Sequence, residues 1–373
     1  MSTDQDTIEM LRDSVARYTA EHYGFAQRAA VLEGAEGFSA PAWSHYAEFG
    51  WLALRLPEDQ GGIDADSAAI GAVMELVGER LLMEPLLASA VLGTGLVRAA
   101  GSAAQQAALL PALADGSLKL AYACDDNPAE ATGCALRGGQ LHGGKLNVLH
   151  GDVAGRLIVS ARDADAGGAP VLCLVEPGAR GVRRHAYRLV DGRGAARLHF
   201  DGAAVERLDA GDAAQAIAQA HDEAAVALCA EALGVIRSLI ATTLAYLKVR
   251  QQFGKTIGSN QAVQHRMVDL FLLQEESRAL LRAAQGAMGE PAPERARLIS
   301  GARAYIGAAA RRVANEAVQL HGGVGITEEL DVSHHFRRVM VINALFGSRD
   351  AHFQRFADLS LASGAPAMAS TCR

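Results

Sequence analysis

The chain is poor in aromatic residues, which limits what its core can contain. Only 5% of its 373 residues are Phe, Trp or Tyr, whereas half are hydrophobic. The core must therefore consist mainly of Ala, Leu and Val, and Ala favours helix because it loses no side-chain entropy there. A hydrophobic fraction this high excludes a disordered chain, and the length predicts two or three domains.

Paired cysteines, excess positive charge and long apolar runs are also missing. The five cysteines are an odd number and form no C-x-x-C pair, which argues against a disulfide framework or a zinc site and favours a reduced, cytoplasmic setting. The formal net charge of −7 argues against nucleic acid as the main partner. The apolar stretch 81–97 is interrupted by Glu84 and Pro85, and the acidic N-terminus does not resemble a signal peptide. We therefore expect no membrane association.

Histidines offer no obvious metal site either. His321, His334 and His335 lack the i, i+4 pair with a third ligand that a metal requires, and they lie close to two arginines. We expect no bound metal and a solvated surface at His334 and His335.

The periodicity of apolar residues changes twice along the chain. Residues 1–118 repeat apolar positions at three- and four-residue spacing, which predicts an N-terminal helical domain. Residues 119–210 contain short apolar runs separated by Gly, Asp and Asn, which predicts an antiparallel β domain, either a barrel or a sandwich. Residues 211–373 return to long helical stretches with short breaks, which predicts a helical bundle.

Three segments are much more specific than this periodicity. They are FGWLALRLPEDQGG at 49–62, RQQFGKTIGSNQ at 250–261 and VQLHGGVGITE at 318–328. In this order, the three segments resemble the acyl-CoA dehydrogenase family over residues 5–360. The resemblance implies an α+β, mainly α fold, with an N-terminal helical domain, a middle antiparallel β domain and a C-terminal four-helix bundle.

The resemblance also implies a chemistry, a cofactor and partners. Members of the family oxidise the α,β bond of an acyl-CoA thioester in lipid metabolism: a glutamate removes the α-proton, and FAD accepts the β-hydride. Electrons then pass to an electron-transferring flavoprotein. The protein supplies the base and holds the substrate carbonyl and the flavin in position.

The two later motifs carry groups suited to FAD. The guanidinium of Arg250 offers a planar donor fork to a diphosphate, the ring of Phe253 can cover a heterocycle, and the glycine pair lets the backbone approach a ligand closely. The resemblance implies that these motifs reach across a dimer interface to the FAD of the neighbouring subunit. The alternative is a purely structural role, in which Arg250 is a cation at the end of a helix and Gly322-Gly323 ends a helix. The expected cofactor-binding residues are Arg250, Gln252, Phe253, Gln261, Gln319, Gly322, Gly323 and Ser348.

The catalytic glutamate of the family is missing from both places where the resemblance puts it. In the phrase Leu345-Phe346-Gly347-Ser348, Phe346 stands at the usual position. Ala224 stands at the second position, on the helix before Arg250. Glu223 is one residue away, and because one residue turns a helix by about 100°, we expect it to point elsewhere. The catalytic residue is therefore unknown, with Glu223 as a weak candidate or simply a first-turn acid.

The β domain departs from the family in the same way. Residues 123–128 lack the Thr-Glu-Pro-Gly-like loop that contacts the flavin in the family. Asn147 and Leu149 replace the Trp and Thr that border the isoalloxazine. The residues that serve a chain's own flavin are thus degraded, whereas those lent to a neighbour are intact.

This asymmetry favours a helper subunit that pairs with a catalytic homologue in a dimer of dimers. It resembles the non-catalytic chains of heterotetrameric acyl-CoA dehydrogenases that act in steroid side-chain breakdown or on pimeloyl-CoA. Two alternatives remain. One is a self-sufficient homo-oligomer in which Glu223 is the base, and the other is a catalytically dead acyl-CoA-binding or scaffold protein.

Overall fold

The computed structural model describes residues 3–128 and 133–362; Cys372 lies outside them. The chain divides into two compact units, each assembled from segments distant in sequence. The first comprises Met1–Ser14, Ala20–Ile70 and Met83–Ala224, and the second Val15–Thr19, Gly71–Leu82 and Ala225–Arg373. The division at residues 118 and 210 stays a prediction.

The N-terminal third is helical, as the periodicity predicts. Its helices are α1 (Gln5–His22), α2 (Phe25–Glu33), α3 (Ala40–Glu48), α4 (Ser67–Arg80), α5 (Thr94–Ala100) and α6 (Ala103–Ala114), with a π-helical segment at Leu86–Gly93. Ser39 caps α3 by accepting from the backbone N–H of Ala42, and Ser102 caps α6 in a capping box with Gln105. Such caps satisfy donors that a helix start leaves free.

A buried carboxylate connects separate segments of the first unit. Glu84 is almost fully buried and accepts hydrogen bonds from the hydroxyls of Tyr23 (3.2 Å) and Tyr46 (3.0 Å) and from the backbone N–H groups of Ser39 and Met83 (both 3.1 Å). Burial raises the pKa of Glu84, and the hydrogen bonds from Ser39, Tyr46 and Tyr23 oppose that rise. The arrangement is stable because every donor faces a carboxylate oxygen.

The middle of the chain forms one eight-stranded sheet. Its strands are β1 (Leu120–Ala123), β2 (Ala135–Arg137), β3 (Gln140–Leu149), β4 (Arg156–Asp163), β5 (Ala169–Val175), β6 (Val182–Arg188), β7 (Gly194–Ala204) and β8 (Glu206–Leu208). The order is β6-β7-β3-β2-β4-β5-β8, and β1 pairs with β4. The predicted β domain is confirmed, but the sheet is mixed: β4 runs parallel to both β1 and β2. Parallel neighbours require a crossover connection, and the β2–β3 hairpin lies between β1 and β4 in the chain.

The C-terminal part is helical again, which confirms the fold class. It contains α7 (Ala213–Val249), the short strands β9 (Gln251–Gln252) and β10 (Lys255–Thr256), then α8 (Gln261–Gly286), α9 (Ala292–His321), α10 (Asp331–Ile342) and α11 (Arg349–Ala362). In the second unit α9 packs against α8, α10 and α11. Among the described residues α7 alone is long and apolar enough to cross a membrane, but 83% of its most apolar window is buried in the folded chain, as in a core helix.

We expect Tyr46→Phe to lower the free energy of unfolding by about 1–2 kcal/mol, because Glu84 stays buried but loses one donor. Urea unfolding measures the change. The matched control is Tyr305→Phe, which removes a hydroxyl that donates to Glu276 at the surface and should change stability by less than about 0.5 kcal/mol. Equal losses in the two variants would contradict a special role for the Glu84 cluster.

Candidate functional site

The motif at 250–261 forms a tight β-hairpin directly after α7. Strands β9 and β10 pair with Lys255 opposite Gln252, and the carbonyl of Arg250 accepts from the N–H of Ile257 at 2.9 Å. The two turn residues, Phe253 (φ +53°) and Gly254 (φ +79°), are both left-handed, as a two-residue type I′ turn requires. A bulky residue in this region costs about 1 kcal/mol. Phe253 is nevertheless there, and it is 99% exposed.

The motif at 318–328 ends α9 with a glycine pair whose two members differ. Gly322 has φ +67° and ψ −147°, which only glycine adopts readily, and its N–H bonds to the carbonyls of Gln319 and Val318. The helix-stop interpretation therefore holds for Gly322. At Gly323, φ is not positive, and no described atom lies within 4 Å of an added Cβ. Nothing in the described part of the chain explains a glycine at 323, so the backbone there is open to approach from outside.

The structure brings the two motifs together within the second unit. The ring of Tyr246, one turn before Arg250, stacks on His321 with centroids 4.4 Å apart, and its hydroxyl donates to the His321 carbonyl at 3.4 Å. The hairpin and the end of α9 therefore lie side by side. The side chains of five predicted cofactor residues are exposed and have no hydrogen-bonding or ionic partner within residues 3–128 and 133–362: Arg250, Gln252, Phe253, Gln261 and Gln319.

This set fits the nucleotide half of FAD. It presents an uncommitted guanidinium, amide groups, an exposed ring and a glycine-lined backbone on two segments that lie side by side, and these are groups that hold a diphosphate and an adenine. Ser348 has a different role in the structure. Its hydroxyl accepts from the N–H of Ala351 at 3.2 Å and thereby caps α11. Its contact with FAD stays a prediction.

No carboxylate occupies the usual position of the base. Phe346 is half-buried with φ +52°, and its carbonyl accepts from His352 Nε2 at 3.0 Å. Gly347 follows with φ +101°. The benzyl side chain of Phe346 has no group that can accept a proton.

The second position at which the family carries its base also offers no free carboxylate. Ala224 is fully buried. Glu223 accepts from Arg55 Nη2 at 2.9 Å and from Gln219 Nε2 at 3.1 Å, and the side chains of Glu223 and Arg55 are only 8% and 15% exposed. The first-turn interpretation of Glu223 is wrong, because α7 begins ten residues earlier, where Asp212 caps it. Glu223 belongs to a partly buried ion pair.

At Asn147 and Leu149 the β domain offers a flavin neither an aromatic side chain nor a hydroxyl. Asn147 lies in a bulge of β3, where three steps from Lys145 to Val148 match two on β7. Its amide oxygen accepts from the Tyr187 hydroxyl at 3.0 Å, and Leu149 is buried. Both side chains are used inside the first unit.

Sequence reasoning missed the lysine that holds the loop after β1. Lys145 is 2% exposed, and its ammonium donates to Asp126 Oδ1 (2.7 Å), the Cys124 carbonyl (2.9 Å) and Ser160 Oγ (3.3 Å). All three donors are satisfied, which makes burial of the charge tolerable. The signal was a lysine in the middle of a strand, between Gly144 and Leu146.

The expectation of a solvated surface at the histidine pair is wrong. His334 and His335 are both buried, and their Nε2 atoms lie 3.2 Å from the carbonyl oxygens of Glu328 and Glu79, respectively. Within the part of the chain that the structure describes, no group of three or more His, Cys, Asp or Glu residues could hold a metal ion.

Comparisons with known proteins match both helical parts of the chain. The family models for the acyl-CoA dehydrogenase N-terminal and C-terminal domains match residues 5–117 and 213–359. The acyl-CoA dehydrogenase IpdE2 of Mycobacterium tuberculosis is 30% identical over 337 residues, which cover 90% of this chain and 92% of IpdE2. Acyl-CoA dehydrogenase FadE34 of the same organism is 29% identical over 353 residues, which cover 91% of this chain but 46% of FadE34.

Two solved structures are similar along nearly the whole chain. The ChsE4-ChsE5 complex from Mycobacterium tuberculosis superposes with a TM-score of 0.88 at 25% identity, covering 98% of this chain and 99% of the other. A variant of the Tcur3481-Tcur3483 steroid ACAD superposes with a TM-score of 0.87 at 26% identity, covering 96% and 98%.

We expect Phe253→Asn to raise the free energy of unfolding of the isolated chain by about 0.5–1 kcal/mol, because Asn tolerates the left-handed conformation of a type I′ turn. Chemical denaturation measures the change. The control Phe253→Leu keeps the strain and should leave stability unchanged. A loss of stability in the Asn variant would mean that the ring packs inside its own chain.

We expect Glu223→Gln to lower the free energy of unfolding by about 2 kcal/mol, because it leaves the partly buried Arg55 cation without its counter-ion. Thermal and urea unfolding measure the loss. The double variant Arg55→Met with Glu223→Met removes both charges and should recover part of the stability. If the single variant unfolds like the unaltered chain, the ion pair is not structural.

Proposed function

The chain belongs to the acyl-CoA dehydrogenase family, whose members act on the CH–CH bond of an acyl-CoA, and we propose that it is the non-catalytic subunit of a heteromeric, FAD-dependent member. The observation that carries the proposal is an asymmetry. Neither Phe346 nor Ala224 can act as a base, whereas the surface around Arg250 and Gly323 is intact and uncommitted.

Dehydrogenation requires a carboxylate free to take the α-proton of the thioester. Phe346 and Ala224 supply none, and the Glu223 carboxylate is already bound to Arg55 and Gln219. This pairing speaks against the self-sufficient homo-oligomer with Glu223 as the base. The base is therefore assigned to the partner chain.

The exposed surface of the second unit is suited to complete a partner's cofactor site. FAD, when bound, supplies the hydride acceptor of the reaction. The residues of this chain that would hold it are Arg250 on the diphosphate, Phe253 and Gln319 beside the adenosine, and Gly322-Gly323 along the backbone. The strain at Phe253 supports this assignment, since a strained and fully exposed ring stabilises nothing in its own chain.

The relatives support a two-chain assembly. ChsE4-ChsE5 and Tcur3481-Tcur3483 are each named as pairs of chains. FadE34 matches this chain over 46% of its length, so it is long enough to hold two units of this size. We further propose a bulky acyl-CoA as the substrate, an electron-transferring flavoprotein as the electron acceptor, and a dimer of dimers as the assembly.

We expect FAD and dehydrogenase turnover in a complex with a homologue that carries the full glutamate motif, and neither in this chain alone. Co-expression, size-exclusion chromatography and the flavin absorbance per heterodimer measure the outcome. Stoichiometric flavin and turnover from the lone chain would contradict the proposal. Acyl-CoA binding without flavin in every mixture would instead favour a scaffold protein.

Arg250→Gln is the sharpest variant within that complex. It should weaken FAD binding at least about tenfold, because a charge-assisted bond to the diphosphate is lost, while the fold is unchanged because Arg250 is exposed. The control Arg137→Gln alters another exposed arginine and should retain the flavin. If the complex with Arg250→Gln keeps its full flavin content, the hairpin of this chain is not part of the cofactor site.

A further inference from the structure

The sheet of the first unit ends on one side in a strand that is open to solvent. This strand, β6, pairs with β7 alone among the described strands, and residues 183–186 are all exposed. Its seven residues face β7 one to one, without a bulge, and contain no proline. Sheet edges are usually short, bulged, covered or interrupted by proline, because a regular open edge accepts another strand. The opposite edge, β8, has only three residues, whereas β6 keeps a regular edge.

The backbone of β6 presents hydrogen-bonding groups to this open edge. The N–H of Asp201 donates to the carbonyl of Gly181 at 2.8 Å, and the N–H of Leu189 donates to the carbonyl of Arg193 at 2.9 Å. These two bonds flank the ladder between β6 and β7, and in an antiparallel pair the hydrogen-bonded residues alternate. The even-numbered residues of β6 therefore turn their N–H and C=O groups away from β7, where an added strand would bond to them.

Positive charge is concentrated at this edge. Residues 180–199 contain six arginines and one aspartate, although the whole chain has a formal net charge of −7. Arg183 lies opposite His199, and His185 lies opposite Arg197, so all four side chains share one face of the sheet. Neither of these two arginines forms an ion pair with a carboxylate in the part of the chain that the structure describes. The face therefore carries arginine charges that the first unit leaves without a counter-ion.

The other two arginines of β6 are held in place without being neutralised. Arg184 and Arg188 both donate to backbone carbonyls. On the acidic side, Asp152 acts on both of them at longer range, and Asp201 lies two residues beyond His199 on β7. Within the described residues neither carboxylate forms an ion pair with an arginine of β6. The strand thus has three arginines and no acidic residue of its own.

We propose that β6 is a docking edge for an extended, acidic segment of another protein, which adds to the sheet as a further strand. Side chains of the added strand alternate between the two faces, so that its carboxylates can share a face with Arg183. A second copy of this chain does not fit, because two β6 strands would bring their arginines together. A nucleic acid or an anionic membrane would meet the net negative charge of the rest of the chain, whereas a short segment contacts β6 alone. The site lies in the first unit and does not depend on the subunit role.

The test is a titration of the full chain into a labelled peptide of about eight alternating Glu and Val residues, followed by fluorescence anisotropy. We expect saturable binding that weakens as salt rises, and at least about tenfold weaker binding for Arg183→Glu, which turns attraction into repulsion. Arg183 is exposed, so circular dichroism should show an unchanged fold. The control Arg282→Glu reverses the charge of an exposed arginine in α8 and should bind as the unaltered chain does. No binding, or equal binding by Arg183→Glu, overturns the proposal.

A second peptide separates strand addition from simple charge attraction. The same sequence N-methylated at every residue keeps its carboxylates but has no backbone donors, and it should bind at least about tenfold more weakly. Equal binding of the two peptides overturns strand addition. If phosphatidylserine vesicles or single-stranded RNA bind the chain through Arg183 while the peptide does not, the edge serves another class of partner and the proposal fails. Arg250→Gln should keep peptide binding, so failure here and failure of the proposed function are distinguishable.

Discussion

The ion pair between Glu231 and Arg338 is the interaction on which the second unit depends. Both side chains are buried, and two hydrogen bonds of 2.7 Å join them. Next to the pair, α4 and α7 lie very close together, because a Cβ on Gly78 or Gly234 would collide with the backbone of the facing helix. The pair fixes α7 against α10. Since α7 leads into the hairpin and α10 leads into the segment with Phe346, this one buried contact positions both the hairpin and that segment.

Carboxylates in this chain are used for structure. Glu84 is surrounded by four donors, Glu223 is paired with Arg55, and Glu231 is paired with Arg338. A general base must instead be free to take a proton in contact with its substrate. In this chain the position before Gly347 is filled by the apolar ring of Phe346, which cannot take a proton. The chain keeps the family fold while its glutamates hold helices together.

Local signals in the sequence predicted much more of the structure than long-range ones did. Apolar spacing and Ala content located the helical parts, because these signals act within a few residues. The hairpin at Phe253-Gly254 and the end of α9 were recognisable from their motifs for the same reason. The pairing of Glu223 with Arg55 was not, since 168 residues separate the two. The parallel strands beside β4, the burial of His335 and the anchoring by Lys145 likewise depend on partners that only the folded chain brings together.

The aromatic tip of the hairpin has a consequence for how the chain is produced. Phe253 is fully exposed, Val249 directly before the motif at 250–261 is 73% exposed, and Ile326 within the motif at 318–328 is 70% exposed. Apolar groups displayed in this way promote nonspecific association and attract quality-control factors. If the proposed subunit role holds, a copy of this chain without its partner would therefore be short-lived or aggregate, and balanced synthesis of both subunits would protect it.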